Sequence, residues 1–193
     1  MEIEKNERIM KDVESKIIEF AHDVLINKIS TQDIFVDMTM GNGNDTLFLC
    51  KIAKFVYAFD IQQIALDNTK KKLIDNDLSN YSLILDTHEN IDLYIKESVK
   101  GFIYNLGYLP TGDKNITTLY TSTINSLKKA LLLLKEKGII VLVVYEGHEN
   151  GKIESIKLNE FLISLPQKEY DVITYRFINQ INNPPYVVVI ERK

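Results

Sequence analysis

The most informative polar residues of this sequence stand where a predicted strand gives way to a glycine-rich turn. The segment from Asp37 to Gly43, Asp-Met-Thr-Met-Gly-Asn-Gly, follows an apolar, strand-forming run and precedes a helix. Glycine lets the backbone approach a ligand closely, because it carries no side chain. Asp60 ends the next predicted strand, where a carboxylate can bind both hydroxyls of a ribose. Together these features indicate a cofactor that contains adenosine.

Position 46 discriminates between two adenosine cofactors. Dinucleotide-binding loops follow the pattern G-x-G-x-x-G, whose third glycine lets the helix pack beside a pyrophosphate, but Thr46 occupies that place here. S-adenosylmethionine has no pyrophosphate, and Asp37 can interact with its positive end through the loop. We therefore predict S-adenosylmethionine and disfavour an NAD-dependent oxidoreductase. Besides Asp37, the candidate cofactor-binding residues of this segment are Thr39, Gly41, Asn42, Gly43, Asp45 and Thr46.

Two later turns carry polar residues after the third and fourth predicted strands. Asp86-Thr87-His88 follows the third strand, where methyltransferases bind adenine, although a polar triplet is also common in an ordinary turn. Asn105-Leu-Gly-Tyr108 follows the fourth, the place of the [N/D]-P-P-[Y/F] motif in enzymes that methylate exocyclic nitrogens. An Asn carbonyl can accept a hydrogen bond from an amine, and an aromatic ring can pack against the acceptor. We expect Asn105 to orient an amine and Tyr108 to stack or hydrogen-bond.

The fifth predicted strand ends in Tyr145-Glu-Gly-His148. Because ligands bind at the carboxyl ends of parallel strands, Tyr145 and His148 are expected in the same cleft, with a locally satisfied loop histidine as the alternative for His148. A literal N-P-P-Y, at 183–186, precedes a strand instead of following the fourth one, so we interpret it as a rigid turn between the last two strands, with a place in the lining of the substrate cleft as the alternative. No cluster has metal-ligand spacing, and methyl transfer from a sulfonium needs no metal.

A predicted alternation of strands and helices positions these residues. The segment 8–29 has apolar residues at helical spacing and predicts an amphipathic helix laid on a core. Strands are predicted at 33–39, 54–60, 81–86, 99–107 and 139–147, mostly with helices between them, which favours parallel pairing. A long helix over 117–136 is expected to end with Gly138 as its cap. The final strands, 170–179 and 186–192, are joined too tightly for a crossover and should be antiparallel.

This order predicts the α/β class: a Rossmann-like class I methyltransferase fold, with a seven-stranded, mostly parallel sheet, a C-terminal antiparallel hairpin and helices on both faces. The 193 residues suffice for one domain, spanning 1–193. The net charge of −4 disfavours a protein that coats nucleic acid non-specifically. The lone Cys50 and a charged N-terminus without an apolar signal core favour the cytoplasm and no membrane association.

Several motifs in this order resemble one specific family. They are D-M-T-M-G-N-G-N-D-T-L-F-L, F-D-I-Q, N-L-G-Y-L-P-T-G-D-K, Y-E-G-H-E-N-G and I-N-N-P-P-Y, and they extend from about residue 18 to residue 192. The family is that of the rRNA methylases, whose members are understood as methyltransferases of the tRNA wobble uridine. The resemblance implies a Rossmann-like enzyme that methylates the aminomethyl group of 5-aminomethyl-(2-thio)uridine at position 34, in the anticodon stem-loop of tRNA.

The resemblance also implies a role for each site residue. Asp37, Asn42 and Gly43 would contact the methionine part of the cofactor, Asp60 and Gln62 the ribose, and Asp86, Thr87 and His88 the adenine. Residues facing the acceptor would be Asn105, Tyr108, Asp113, Tyr145 and His148. The alternatives are methylation of rRNA or of a small amine, and a module that binds adenosine without catalysis. A homodimer is compatible with the sequence, which does not determine the oligomeric state.

Overall fold

The computed structural model describes residues 2–109, 117–147, 149–181 and 183–193, with side chains from residue 11 onward. Strands and helices alternate through most of it. The strands are β1 (Ile34–Asp37), β2 (Phe55–Asp60), β3 (Tyr81–Leu85), β4 (Val99–Asn105), β5 (Leu134–Val144), β6 (Tyr170–Tyr175) and β7 (Tyr186–Arg192). The helices are α1 (Glu2–Ile26), α2 (Asn44–Cys50), α3 (Gln63–Ile74), α4 (Ile91–Tyr94), α5 (Tyr120–Leu133) and α6 (Glu149–Ile163).

The strands form one seven-stranded sheet in the order β3-β2-β1-β4-β5-β7-β6. The first five strands in this order are parallel to one another, which requires crossover connections between them. β7 is antiparallel to β5, and β6 is antiparallel to β7 at the edge. The predicted seven-stranded, mostly parallel sheet with a C-terminal antiparallel hairpin is therefore confirmed.

The two faces of the sheet are buried by different helices. One face packs against α4, α5 and α6 through residues such as Ile91, Leu127 and Leu158. The opposite face packs against α1, α2 and α3 through residues such as Ile17, Leu49 and Leu73. Because successive side chains of a strand point to opposite faces, both faces of each central strand must be apolar. The runs of Val and Ile in β5 and β7 meet that requirement.

Helix α1 packs on the sheet through one stripe of side chains. Val13, Ile17, Ala21 and Leu25 recur every fourth residue and are all nearly inaccessible to solvent. Ile17, Ala21 and Leu25 of this stripe belong to the same core as Val141 and Val189, and the stripe fixes which flank of α1 faces the carboxyl end of the sheet.

The predicted boundary between α5 and β5 is wrong. The helix ends at Leu133 instead of 136, and the strand begins at Leu134. Leu134 is buried and pairs with Val99, so burial in the sheet overrides its high helix propensity. Gly138 is no cap: Lys137 takes the positive φ, and a Cβ at Gly138 would lie 2.6 Å from the Lys135 carbonyl oxygen. Glycine is therefore needed at an irregularity of β5, where its pairing register with β4 shifts between Val99 and Gly101.

Cys50 lies in the core beneath β1. It is 3% exposed, and burial together with the nearby Asp37 carboxyl raises the thiol pKa to about 12. The predicted buried thiol is thus confirmed. Among the described residues, no helix is long and apolar enough to cross a membrane.

Candidate active site

A cavity of about 520 Å³ opens at the carboxyl ends of the parallel strands. The turns after β1, β2, β3, β4 and β5 all contribute to its wall, and α1 closes one side. This is the edge at which open α/β sheets bind ligands, and the volume lies in the range of small-molecule sites. The following predicted site residues line it: Thr39, Gly41, Asn42, Asp45, Asp60, Gln62, Asp86, Thr87, His88, Asn105, Tyr108 and Tyr145.

The charge of the cavity wall is negative. Four carboxylates line it, those of Glu14, Asp45, Asp60 and Asp86, whereas its wall holds no lysine or arginine from the described part of the chain. A negative wall favours ligands with a positive charge at the reacting end. It therefore suits a sulfonium cofactor and an amine acceptor.

The turn after β1 depends on glycine at position 43. Gly43 has a φ of +74°, and a Cβ there would lie 2.9 Å from Cα of Thr69 and 2.7 Å from its Oγ1. Only glycine allows α3 to approach this closely at a positive φ. The amide of Gly43 donates to the carbonyl of Met40, 2.7 Å away, and closes the turn. Gly43 holds the loop in shape without lining the cavity.

Asp37 lies fully buried beneath that loop. Its carboxylate accepts hydrogen bonds from Thr46 Oγ1 at 2.6 Å and from the amide of Thr39 at 3.1 Å. Burial, followed by the charge of Asp45, raises the pKa of Asp37 to about 8. Neither Asp37 nor Thr46 lines the cavity, so their contact with a cofactor stays a prediction. The hydrogen bonds of Asp37 to Thr39 and Thr46 connect the loop to the first turn of α2.

Asp60 lies at the end of β2, on the cavity wall. One of its carboxylate oxygens accepts from the amide of Gly41 at 3.0 Å, and the other accepts from the amide of Gln62 at 2.9 Å. Burial raises its pKa. The backbone of Ile61 also hydrogen-bonds to it. Because each carboxylate oxygen has two acceptor sites, the group can still receive a hydroxyl. The geometry fits the ribose role that we predicted.

The turn after β3 combines a fixed carboxylate with an imidazole that is hydrogen-bonded through one nitrogen only. Asp86 accepts from the amide of Thr87 at 2.7 Å and from the hydroxyl of Tyr94 at 2.9 Å. His88 Nδ1 donates to the carbonyl of Met38 at 3.1 Å. Burial lowers the pKa of His88, which keeps the ring neutral and leaves Nε2 as an acceptor. That nitrogen is buried and has no partner among the described residues, as a site for a ligand's amino group would require.

Asn105 ends β4 in the middle of the cavity wall. Its amide nitrogen in the backbone donates to Thr39 Oγ1 at 2.7 Å, which ties β4 to the loop after β1. Its side-chain amide donates from Nδ2 to the Asp45 carboxylate at 3.3 Å. Because a carboxylate can only accept, this contact leaves the Asn105 carbonyl oxygen as the group available to a ligand.

The loop after Asn105 is held by its own return segment. The amide of Gly107 donates to Thr118 Oγ1 at 2.9 Å, and the amide of Thr118 donates to the Gly107 carbonyl at 2.9 Å. Thr118 Oγ1 donates in turn to Glu154 of α6 at 2.7 Å. Tyr108 lies on this braced loop, 41% exposed at the cavity mouth. Its ring can therefore meet an incoming acceptor.

Tyr145 lies on the cavity wall, and its phenol hydroxyl is hydrogen-bonded and partly buried. Its hydroxyl donates to Glu14 Oε1 at 2.9 Å. Burial and the neighbouring Glu14 carboxylate raise its pKa, so the phenol stays protonated. Tyr145 can anchor α1 beside the cleft, and it is a poor candidate for a base.

Sequence reasoning missed the contribution of α1. Glu14 and Ile18 line the cavity, and His22 bonds to Asp45 from behind its wall. These residues flank the buried stripe of α1, and the sequence signals the stripe but not which elements its flanks meet. Thr118 and Ser122 also line the cavity without having been predicted.

The predictions for Asp113, His148, the segment 183–186 and metal binding remain to be compared with the structure. Asp113 and His148, predicted to face the acceptor, lie outside the described residues. The segment 183–186 contributes nothing to the described cavity wall. Its Tyr186 is buried and shares a hydrogen bond with Ser155 at 2.8 Å. Within the described ranges, no group of His, Cys, Asp or Glu could hold a metal ion.

Comparison with known proteins identifies relatives along most of the chain. A family model described as "Putative rRNA methylase" matches residues 56–191. The tRNA (mnm(5)s(2)U34)-methyltransferase, chloroplastic, of Arabidopsis thaliana is 34% identical over 193 residues, which cover 92% of this chain and 70% of that protein.

Solved structures agree in fold along nearly their whole length. The crystal structure of a protein described as "putative rRNA-methylase" from Clostridium thermocellum shares 43% identity with a TM-score of 0.90, covering 92% of this chain and 97% of that one. A protein of Streptococcus mutans described as "a putative methyltransferase", solved in complex with SAH, shares 41% identity with a TM-score of 0.87, covering 92% of this chain and 98% of that one.

Proposed function

This chain belongs to the family described as "Putative rRNA methylase", and from that membership we propose that it is an S-adenosylmethionine-dependent methyltransferase acting on the wobble uridine of tRNA. One observation carries the proposal: a single cavity joins the elements that fit the cofactor to a side chain, Asn105, whose carbonyl oxygen is left to orient an amine.

The cavity has a complementary group for each part of the cofactor. Asp60 offers carboxylate oxygens for the ribose hydroxyls, and the unpartnered Nε2 of His88 offers an acceptor for the adenine amino group. The backbone from Thr39 to Asn42 lines the cavity and would face the methionine part. When bound, S-adenosylmethionine supplies a methyl group on a positively charged sulfur. The negative wall stabilises that charge in the ground state.

Asn105 and the wall around it determine what the acceptor meets. The Asn105 carbonyl oxygen accepts an N–H of the acceptor amine, which points the nitrogen lone pair along one direction. An alkylammonium has no lone pair, so it must first lose a proton. Tyr108, His148 and water remain the candidate proton acceptors. Tyr145 is not among them, because burial and Glu14 keep it protonated.

The tRNA substrate is supported by the relative in Arabidopsis thaliana, whose name specifies mnm(5)s(2)U34 in tRNA. The acceptor would be the aminomethyl group of 5-aminomethyl-(2-thio)uridine, and the product 5-methylaminomethyl-(2-thio)uridine. A wobble base stands in a loop and can leave the stack, and the exposed ring of Tyr108 offers it an aromatic face. The anticodon stem-loop is thus the proposed partner. A homodimer and a cytoplasmic location stay predictions.

Methyl transfer to a defined tRNA tests this proposal. The substrate is tRNA whose position 34 stops at 5-aminomethyl-2-thiouridine, given with S-adenosylmethionine labelled in its methyl group. Nucleoside mass spectrometry should find labelled 5-methylaminomethyl-2-thiouridine. The matched control is the same tRNA already methylated, which should take up no label. Label on rRNA or on a free amine, with none on this tRNA, would contradict the proposed substrate, and no transfer at all would leave a binding module.

A further inference from the structure

His22 lies on α1 in a position that the core does not explain. It follows Ala21 of the buried stripe and turns toward α2 instead of the sheet. Its ring stacks on Phe48 with 3.9 Å between centroids and 3° between planes. Its Nε2 lies 2.7 Å from Oδ1 of Asp45. Two contacts of different kinds therefore fix both the plane and the edge of the imidazole.

Asp45 connects this histidine to the candidate catalytic loop. It is 7% exposed and lies in the first turn of α2. One carboxylate oxygen meets His22 at 2.7 Å, and the other meets Asn105 Nδ2 at 3.3 Å. The three side chains come from α1, α2 and β4, so the chain of contacts crosses three elements. Asp45 and Asn105 line the cavity, whereas His22 does not.

The direction of the Asn105 amide follows from this chain of contacts. An isolated amide can turn over and exchange its oxygen for its nitrogen at little cost. The Asp45 carboxylate prevents this, because it can accept from Nδ2 but would repel the carbonyl oxygen. The carboxylate can act this way only while its own plane is fixed. The short contact with His22 fixes this plane. It holds the Asp45 oxygen that does not bond to Asn105, and the His22 ring is itself held by stacking on Phe48.

We propose that His22 is a positioning residue for methyl transfer, acting through Asp45 to hold the Asn105 carbonyl oxygen toward the acceptor amine. The inference rests on the proposed function, because it concerns the reaction at Asn105. It assigns His22 no contact with cofactor or tRNA. Its loss should therefore lower kcat while the affinity for S-adenosylmethionine is retained.

Three variants separate positioning from simple structural support. His22→Phe keeps a ring to stack on Phe48 and removes the hydrogen bond to Asp45. His22→Gln can restore a donor to Asp45 without the ring. Asp45→Asn keeps the shape of the carboxylate but can both donate and accept, so it no longer dictates the direction of Asn105. Asp23→Asn is the matched control, because Asp23 is the exposed next residue on the same helix.

Steady-state kinetics with tRNA bearing 5-aminomethyl-2-thiouridine provide the measurement. The free energy of one hydrogen bond that orients a reacting group corresponds to about tenfold in rate. We therefore expect His22→Phe and Asp45→Asn to lower kcat by about that factor. In His22→Phe, which changes no residue of the cavity wall, KM for tRNA and for S-adenosylmethionine should change by less than about threefold. His22→Gln should recover part of kcat, and Asp23→Asn should match the original protein.

Two results would overturn the inference. One is an unchanged kcat in His22→Phe. The other is a loss of cofactor affinity in proportion to the loss of rate, with no recovery in His22→Gln, since that pattern belongs to a residue that only supports the fold. Failure of the proposed function is recognised separately: the unmodified protein would then transfer no methyl group to this tRNA. Melting temperatures measured on each variant identify any that fail to fold, and His22→Gln keeps the test decisive for His22→Phe.

Discussion

The carboxyl group of Asp37 is completely buried, close to two other acidic side chains. Burial and the charge of Asp45 raise its pKa to about 8, whereas the unfolded chain returns it to its ordinary value. Between these two pKa values the folded protein holds a proton that the unfolded chain has released. Asp37 therefore stabilises the fold fully below its unfolded pKa, and this contribution is lost as the pH rises through the folded pKa.

Replacing Asp37 with asparagine should remove this pH dependence. The amide keeps an acceptor for Thr46 but cannot ionise. We expect the stability of Asp37→Asn relative to the original protein to rise by more than about 1.4 kcal/mol, the equivalent of one pKa unit, between about pH 5 and about pH 9. Urea unfolding at each pH measures it. A difference that stays constant across this range would mean that Asp37 is ionised in the folded protein throughout.

At the scale of elements, the turn between β1 and α2 is packed against α3 with no space for a side chain. A Cβ at position 43 would meet both the backbone and the side chain of Thr69, at a φ of +74°. We expect Gly43→Ala to lose at least about 1–2 kcal/mol of folding stability from the left-handed conformation alone. The affinity for S-adenosylmethionine should fall with it, because the loop that we propose to face the methionine part must move.

Gly147→Ala, in the segment after β5, is the matched glycine-to-alanine control for Gly43→Ala. A Cβ at Gly147 would have no atom of the described residues within 4 Å, and Gly147 is not among the described glycines with positive φ. Its melting temperature should therefore stay within a few degrees of the original, in line with ordinary surface substitutions. Equal melting temperatures for the two variants would show that the turn relaxes at no cost.

Elements were predictable from the sequence where local pattern and tertiary packing agree. The alternation of apolar runs with helical stripes predicts the parallel strands, and the short connection at 180–185 predicts the antiparallel ending. The boundary at Leu134 could not be predicted, because its residue types favour a helix and only pairing with Val99 makes it a strand. The part of α1 in the cavity could not be predicted either. The pattern of Val13, Ile17 and Ala21 identifies a buried face, while the neighbours of Glu14 and His22 depend on the docking angle.

In the site, too, the sequence predicts which residues come together but not the contacts that depend on tertiary packing. Glycine, carboxylate and asparagine at strand ends could be placed at one edge of the sheet, because parallel strands bring their carboxyl ends together. That Asp45 bonds to Asn105, and that Asp37 faces the interior of the loop instead of the cavity, depends on side-chain directions. These directions are decided by packing after the elements have formed.

For the whole molecule, net charge sets how RNA can be held. The protein carries a net charge of −4, so binding to tRNA must use a local surface and not a general positive field. Each phosphate contact still releases counterions. We expect the Kd for tRNA to rise by more than about tenfold when salt is raised about fourfold, as a few phosphate contacts require.

The cofactor provides the internal comparison for that experiment. Its binding cavity contains no phosphate-binding lysine or arginine among the described residues, so the Kd for S-adenosylmethionine should change little over the same salt range. Fluorescence anisotropy for tRNA and calorimetry for the cofactor measure the two constants. A tRNA affinity as insensitive to salt as that of the cofactor would favour a small amine as the acceptor.

The most direct test of methyl transfer at this cavity is the single-turnover rate of Asn105→Ala with tRNA bearing 5-aminomethyl-2-thiouridine, measured beside its Kd for S-adenosylmethionine. Loss of the group that orients the amine should slow transfer by about 100-fold, because misplacement of a reacting atom costs about that much. The Kd for the cofactor should stay within about threefold, since Asp60 and His88 are untouched. A variant that binds the cofactor normally and transfers the methyl group at the original rate would contradict the role of Asn105 and the site built around it.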